Sequence, residues 1–173
     1  ADQRRDQGRE QAAVGDQALA YGADFFAASL PGAANGRGTA QGALVYVGHG
    51  WQAKGQGIDP YAGVDVRGKI LLVTGAQPKG LRPGGVRGTD FLPPDLAARQ
   101  LGAVGVVVLA AGEEDAWRQR AQAREQMGMR GGLRPVTPDE AKDDIPIVTL
   151  SPARSAALFD GEDLPATEVQ REI

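Results

Sequence analysis

Apolar residues in this chain gather in short blocks separated by glycine, proline and charge. Residues 43–47, ALVYV, make the first block. Residues 69–73, KILLV, make the second, apolar on both faces, as a central strand of a parallel sheet requires. Residues 104–110, VGVVVLA, make the third, and residues 145–150, IPIVTL, the fourth. Each has strand length and strand composition. Pro146 restricts the fourth to a sheet edge or to a non-donating position. Between the second and third blocks, residues 94–101, PDLAARQL, predict a helix. Asp95 caps it or favours its N-terminal dipole end, and Gly102 ends it. Strand, helix and strand in that order predict a crossover, with 69–73 pairing parallel to 104–109.

The remaining pattern is more polar. Residues 113–126, EEDAWRQRAQAREQ, predict a surface helix whose apolar positions are Ala116, Trp117, Ala121 and Ala123. Ser151 followed by Pro152 predicts a cap and a short helix over 152–159. Asp65-Val66-Arg67-Gly68 has the signature of a type I turn leading into the second block. Residues 13–30 fit two patterns. One is a helix capped by Asp16; the other is a turn at 14–17 between two short strands. Residues 31–42, 75–94 and 128–144 are loops rich in glycine and proline. Residues 1–12 predict a flexible arm and 161–173 a tail or linker, leaving one domain over 13–160.

Composition agrees with one compact unit. The chain has 173 residues, 42% hydrophobic and 24% charged, enough for a single core. Its 25 glycines and 11 prolines favour many short elements over a helical bundle. Net charge is −3, and the arginines are interleaved with acids, so no basic stripe offers itself to nucleic acid. No apolar run reaches the length of a membrane span. Without cysteine there are no disulfides or thiolate metal sites. Ala1 in place of Met leads us to expect a chain processed or excised from a longer one.

Candidate chemistry centres on Gly48-His49-Gly50-Trp51-Gln52-Ala53, the outline of a dinucleotide-binding turn. The outline lacks its context. Gly55, Gly57 and Pro60 follow where the fingerprint needs a helix facing the pyrophosphate. His49 is the single histidine. It cannot build a histidine-rich zinc site. Ser29, Ser151 and Ser155 are the serines it would need as partners, and none sits in a G-x-S-x-G elbow. Asp59 and Asp65 offer a carboxylate pair and Asp143-Asp144 a cation site, though all four also suit solvated turns. Arg82, Arg87, Arg130 and Arg134 lie in loops where they either hold an anion or face solvent. No metal or cofactor is expected on this chain.

Four segments in order, VYVGHGW, IDPYAGVDVRGKILLV, DLAARQLGAVGVVVL and DDIPIVTLS, resemble the protease-associated domain. The likeness is to the copy inserted in bacterial two-zinc aminopeptidases of the transferrin-receptor-like superfamily. The family pattern runs V-x-V-G-Y-G, D-D-Y-x-G-x-D-V-x-G-K-I, A-x-x-x-G-A-x-G-V and I-P-x-V-x-I. It covers roughly residues 43–158, and ALAYGADFF resembles the lead-in that precedes it. That lead-in favours the strand-and-turn pattern over the helix for residues 14–20.

The resemblance implies an α/β domain of the three-layer β/β/α swivelling type, a small open barrel flanked by helices. It implies no catalysis by this unit, which would shape substrate access or contact peptide beside a catalytic peptidase domain of the same parent chain. The zinc ligands would lie on that other domain, and the location would be secreted or cell-envelope. An independent protein-interaction module without a protease is the alternative. His49 stands where the family usually has tyrosine or another bulky residue, which implies no catalytic role for it, and the 113–141 excursion is longer than the family pattern. His49, Trp51, Tyr61, Arg82, Arg87 and Trp117 are the candidate contacts to peptide or protein; aromatic and arginine side chains dominate recognition hot spots.

Overall fold

A computed structural model describes residues 11–14, 16–27, 38–82, 91–128 and 145–160, with side chains to residue 123 in the 91–128 segment. Strands β1 (Ala12–Val14) and β2 (Gln17–Leu19) form an antiparallel hairpin, with Val14 opposite Gln17. The residues between them are too few for any other connection, so the strand-and-turn pattern holds here and the helix alternative does not. Ala12, placed in the arm by sequence, is already paired with Leu19.

The other strands are β3 (Phe25–Ala27), β4 (Leu44–Tyr46), β5 (Ile70–Val73), β6 (Gly105–Leu109) and β7 (Ile147–Leu150). They form one mixed sheet in the order β3-β7-β6-β5-β4. All neighbours are parallel except β3, which runs antiparallel to β7. Helices α1 (Pro94–Leu101) and α2 (Glu114–Gly128) are the crossovers on either side of β6. Helix α3 (Pro152–Ala157) follows β7. The domain is thus mixed α/β. Among the described residues, no helix is long and apolar enough to cross a membrane.

Register explains the two cores. Val45, Leu71, Val106 and Ile147 stand side by side across four strands, and all belong to one apolar cluster. One residue further on, Tyr46, Leu72, Val107 and Val148 make the next row and belong to the other. Alternation along each strand sends successive rows to opposite faces. The first face is closed by α1, whose Ala97 and Ala98 are 0% exposed, with Leu96 and Leu101 beside them. The second gathers Phe25, Leu109 and Leu150 with Ala12 and Leu19 of the hairpin and Leu158 and Phe159 beyond α3.

Local sequence accounts for the element ends. Pro94 is the first residue of α1, where its missing N–H costs nothing, and Gly102 ends the helix at φ 80. Asp95 lies in the first turn without serving as the cap, which falls at Pro93. Its position suits the dipole reading. The Ser151 hydroxyl accepts from the Arg154 N–H at 3.3 Å and caps α3.

One expectation needs correction, and another resolves to the second of its alternatives. The turn before β5 closes one residue later than the type I reading. Lys69 N–H donates to the Val66 carbonyl at 3.1 Å, and Gly68 takes the third position at φ 69. Asp65 accepts from the Arg67 N–H at 3.2 Å, so the acid braces the turn from outside it. Also, β7 is no edge strand: it lies between β3 and β6. Pro146 precedes the first paired residue, and its carbonyl accepts from Val106 N–H at 3.0 Å. A proline there removes no ladder donor, which was the second of the two positions expected for it.

Candidate functional site

The glycine turn after β4 is where three of the sequence-predicted contacts, His49, Trp51 and Tyr61, meet. Val47 N–H still reaches the Leu72 carbonyl at 3.1 Å, continuing the β4–β5 ladder. The chain then reverses through Gly48 at φ 59 and Gly50 at φ 75. Gly50 N–H closes back on Val47 at 3.1 Å, and Thr74 N–H donates to the Gly48 carbonyl at 2.9 Å. Gly50 is required for space as well as for φ. A Cβ there would stand 2.6 Å from Val73 Cγ1.

Trp51 leaves this turn half-buried. Its backbone N–H donates to His49 Nδ1 at 3.0 Å, and its indole N–H donates to the Gly75 carbonyl at 3.2 Å. Its ring lies nearly parallel to that of Phe91, 25° apart with centroids separated by 6.4 Å. The next residue, Gln52, exchanges both backbone hydrogen bonds with Leu92, at 2.9 and 2.7 Å. That bridge brings Phe91 beside Trp51. A single 3-10 turn, Lys54–Gln56, follows. No helix starts at Gly50, so the phosphate-facing N-terminus of a dinucleotide turn has no counterpart here.

Tyr61 sits beneath the turn, 6% exposed. Its hydroxyl donates to the Gly50 carbonyl at 2.6 Å. Burial pushes its ionisation far above the ordinary phenol value, and the charges of Asp59 and Asp95 add to the effect. Asp59 accepts from Gln52 Nε2 at 2.7 Å and from Tyr61 N–H at 3.3 Å, with Lys54 Nζ at 3.7 Å. Asp65 is held elsewhere, by Arg67 N–H and by Lys69 at 3.3 Å, which keep its carboxyl below the usual range. The two acids therefore have separate partners and do not act as a pair.

Arg82 is exposed, and its backbone is gripped by one side chain. Gln56 Oε1 accepts from Arg82 N–H at 2.9 Å while Gln56 Nε2 donates to its carbonyl at 3.1 Å. The amide thus mimics a neighbouring strand and fixes where the 75–82 loop runs. Trp117 belongs to another part of the molecule. It is 4% exposed, 4.6 Å from Phe26 between ring centroids, and its indole N–H donates to Ala23 at 2.9 Å. As a buried anchor of α2 it presents no contact surface, and α2 is held to the fold more firmly than its polar sequence suggested. Arg87, Ser29, Arg130, Arg134, Asp143 and Asp144 lie outside the described residues.

Of the candidate contacts, then, His49, Trp51 and Tyr61 come together, while Arg82 is tied to Gln56 of the 3-10 turn. Phe91 joins them without having been singled out by sequence. Among the described residues, no three side chains of the metal-ligating types gather in one place. What the site offers is an aromatic surface on a tightly braced turn. No family model matches the chain, and no curated protein or solved structure matches it either.

Proposed function

We propose that this chain is a protease-associated domain, a non-catalytic unit of a larger secreted or cell-envelope zinc aminopeptidase. Closure of its sheet into the small open barrel of the swivelling type is part of the same proposal. Its role is to shape substrate access or contact peptide, with Trp51 and Phe91 as the contact surface and Arg82 at its margin.

The observation that carries this reading is the match between motif and junction. VYVGHGW is β4 and its turn; IDPYAGVDVRGKILLV runs from Tyr61 beneath that turn into β5; DLAARQLGAVGVVVL is α1 and β6; DDIPIVTLS ends in β7 and the cap of α3. Motif residues thus do the joining: Tyr61 bonds to Gly50, and Gly68 turns the chain into β5. The site chemistry supports contact over catalysis as well. His49 Nδ1 is occupied by a backbone N–H, and Ser151 serves as a helix cap.

The test has two arms. Incubated with zinc and aminoacyl anilides, the chain is expected to show no hydrolysis; turnover abolished by a chelator would overturn the non-catalytic reading. Titrated with a panel of short peptides and followed by amide NMR, it is expected to shift at Trp51, Gly75, Phe91 and Arg82. A panel that leaves those signals unmoved removes the contact surface.

A further inference from the structure

We propose that His49 is a proton-operated latch on Trp51: the neutral imidazole holds the Trp51 backbone through Nδ1, and its protonation breaks that hold. The inference concerns the turn itself and stands whatever Trp51 touches.

The latch rests on one hydrogen bond. An imidazole nitrogen that accepts a backbone N–H carries no proton, so the ring at Trp51 is the Nε2–H tautomer. A proton added at Nδ1 turns the acceptor into a donor facing another donor. At 3.0 Å that arrangement cannot persist, and either the ring or residue 51 must turn away.

The surroundings decide which part moves. The backbone before Trp51 is fixed by Gly50 N–H on Val47, Thr74 N–H on Gly48 and the Tyr61 hydroxyl on Gly50. The backbone after it is fixed by the paired Gln52 and Leu92. Between these braces, the Trp51 indole is seated by one longer bond to Gly75 and by its stacking on Phe91. Breaking the bond at Nδ1 therefore acts on the segment between these braces, the Trp51 peptide and the indole it carries.

Other ionisable groups border the turn. The 58–61 loop carries Asp59 and Tyr61, the 3-10 turn carries Lys54, and α1 carries Asp95, next to the Pro94 that flanks Gly50. The exit of β5, through Val73, Thr74 and Gly75, carries no charge. Among all of these, imidazole is the side chain whose ordinary titration falls between about pH 5 and about pH 8. Tyr61 stays un-ionised across that window.

The experiment is a pH titration of the labelled chain from about pH 7.5 to about pH 5, following the His49 ring and the Trp51 amide and indole by NMR. The His49 ring is expected to be the Nε2–H tautomer at the neutral end. The Trp51 amide and indole are expected to shift through one transition sharing the midpoint of the ring. In His49→Asn, a side-chain oxygen can accept the same N–H as in an Asx turn but takes no proton. Its Trp51 signals are expected to stay flat. Trp51 signals that ignore the ring's titration, or that move equally in His49→Asn, would overturn the latch. Should that variant fail to fold, the wild-type tautomer decides: an Nδ1-protonated ring at neutral pH refutes the proposal.

Discussion

Replacing Gly50 with alanine separates the two reasons for a glycine beneath the aromatic surface. The first is conformational. At φ 75 an L-residue occupies the left-handed region, at a cost of about 1–2 kcal/mol. The second is steric. The new methyl would stand 2.6 Å from Val73 Cγ1 and 3.1 Å from both Cβ and Cγ of Pro94. Val73 is 0% exposed and Pro94 begins α1, so neither yields easily. Overpacking of this kind costs about 1–3 kcal/mol. Together the two terms give about 2–5 kcal/mol. That is a large share of the roughly 5–15 kcal/mol typical of a domain. Gly48 is the internal control. It also has positive φ, 59, but a Cβ there meets nothing within 4 Å. Gly48→Ala should therefore lose only the conformational part. Paired denaturant melts of the two variants measure the difference, and thermal melts check it at about 2–4 °C per kcal/mol for this size. If Gly50→Ala loses no more stability than Gly48→Ala, the steric argument is refuted, and with it the claim that the turn is packed down onto β5 and α1.

Four further outcomes follow from three other contacts. Tyr61→Phe keeps the ring but leaves the Gly50 carbonyl without its buried donor, and should cost about 1–2 kcal/mol in denaturant melts without changing the far-ultraviolet spectrum. Because the folded state raises the Tyr61 ionisation above 10.0, stability should be intact below that pH and fall as pH rises beyond it, with alkaline unfolding blunted in Tyr61→Phe. Asp24 is held below its ordinary value first by Arg154 and then by the Ala20 N–H. Its contribution should therefore be present above about pH 3.8 and lost as pH falls below it, so Asp24→Asn should destabilise at neutral pH by an amount that shrinks in acid melts. Trp117→Ala should cost about 3–5 kcal/mol and speed amide exchange across α2, since the helix loses its ring contact with Phe26 and its bond to Ala23; exchange unchanged in α2 would show that another contact anchors it.

Much of the sheet was legible because its strands announce themselves locally. KILLV and VGVVVLA are continuous apolar runs bounded by turn residues, and that signal needs no knowledge of partners. Helix α1 was legible to the residue because proline and glycine mark both of its ends. Strand β3 was not. Phe25-Phe26-Ala27 is three residues long, and it becomes a strand only by pairing with β7, with Phe25 opposite Leu150 at the far end of the sequence. No local pattern carries that partner. The status of Trp117 depends on the same fact. It reads as one ring on a polar helix until β3 supplies Phe26 to receive it.

The site divides in the same way. Gly48 and Gly50 signal a turn by themselves, and His49 and Trp51 stand out by their rarity. Phe91 carries no such mark. It follows a glycine- and proline-rich loop and precedes two prolines, a context that suggests only irregular chain. What selects it is the backbone bridge between Gln52 and Leu92, a contact that no side-chain pattern encodes. The buried Tyr61 hydroxyl is a parallel case. Its sequence neighbours, proline and two small residues, predict a loop, and only the return of that loop under Gly50 turns the tyrosine into a brace. The contact surface is thus assembled from chain segments whose own chemistry is unremarkable apart from one histidine and one tryptophan. That is why residue types identified the centre of the site, while its walls and supports depended on backbone pairing between distant loops.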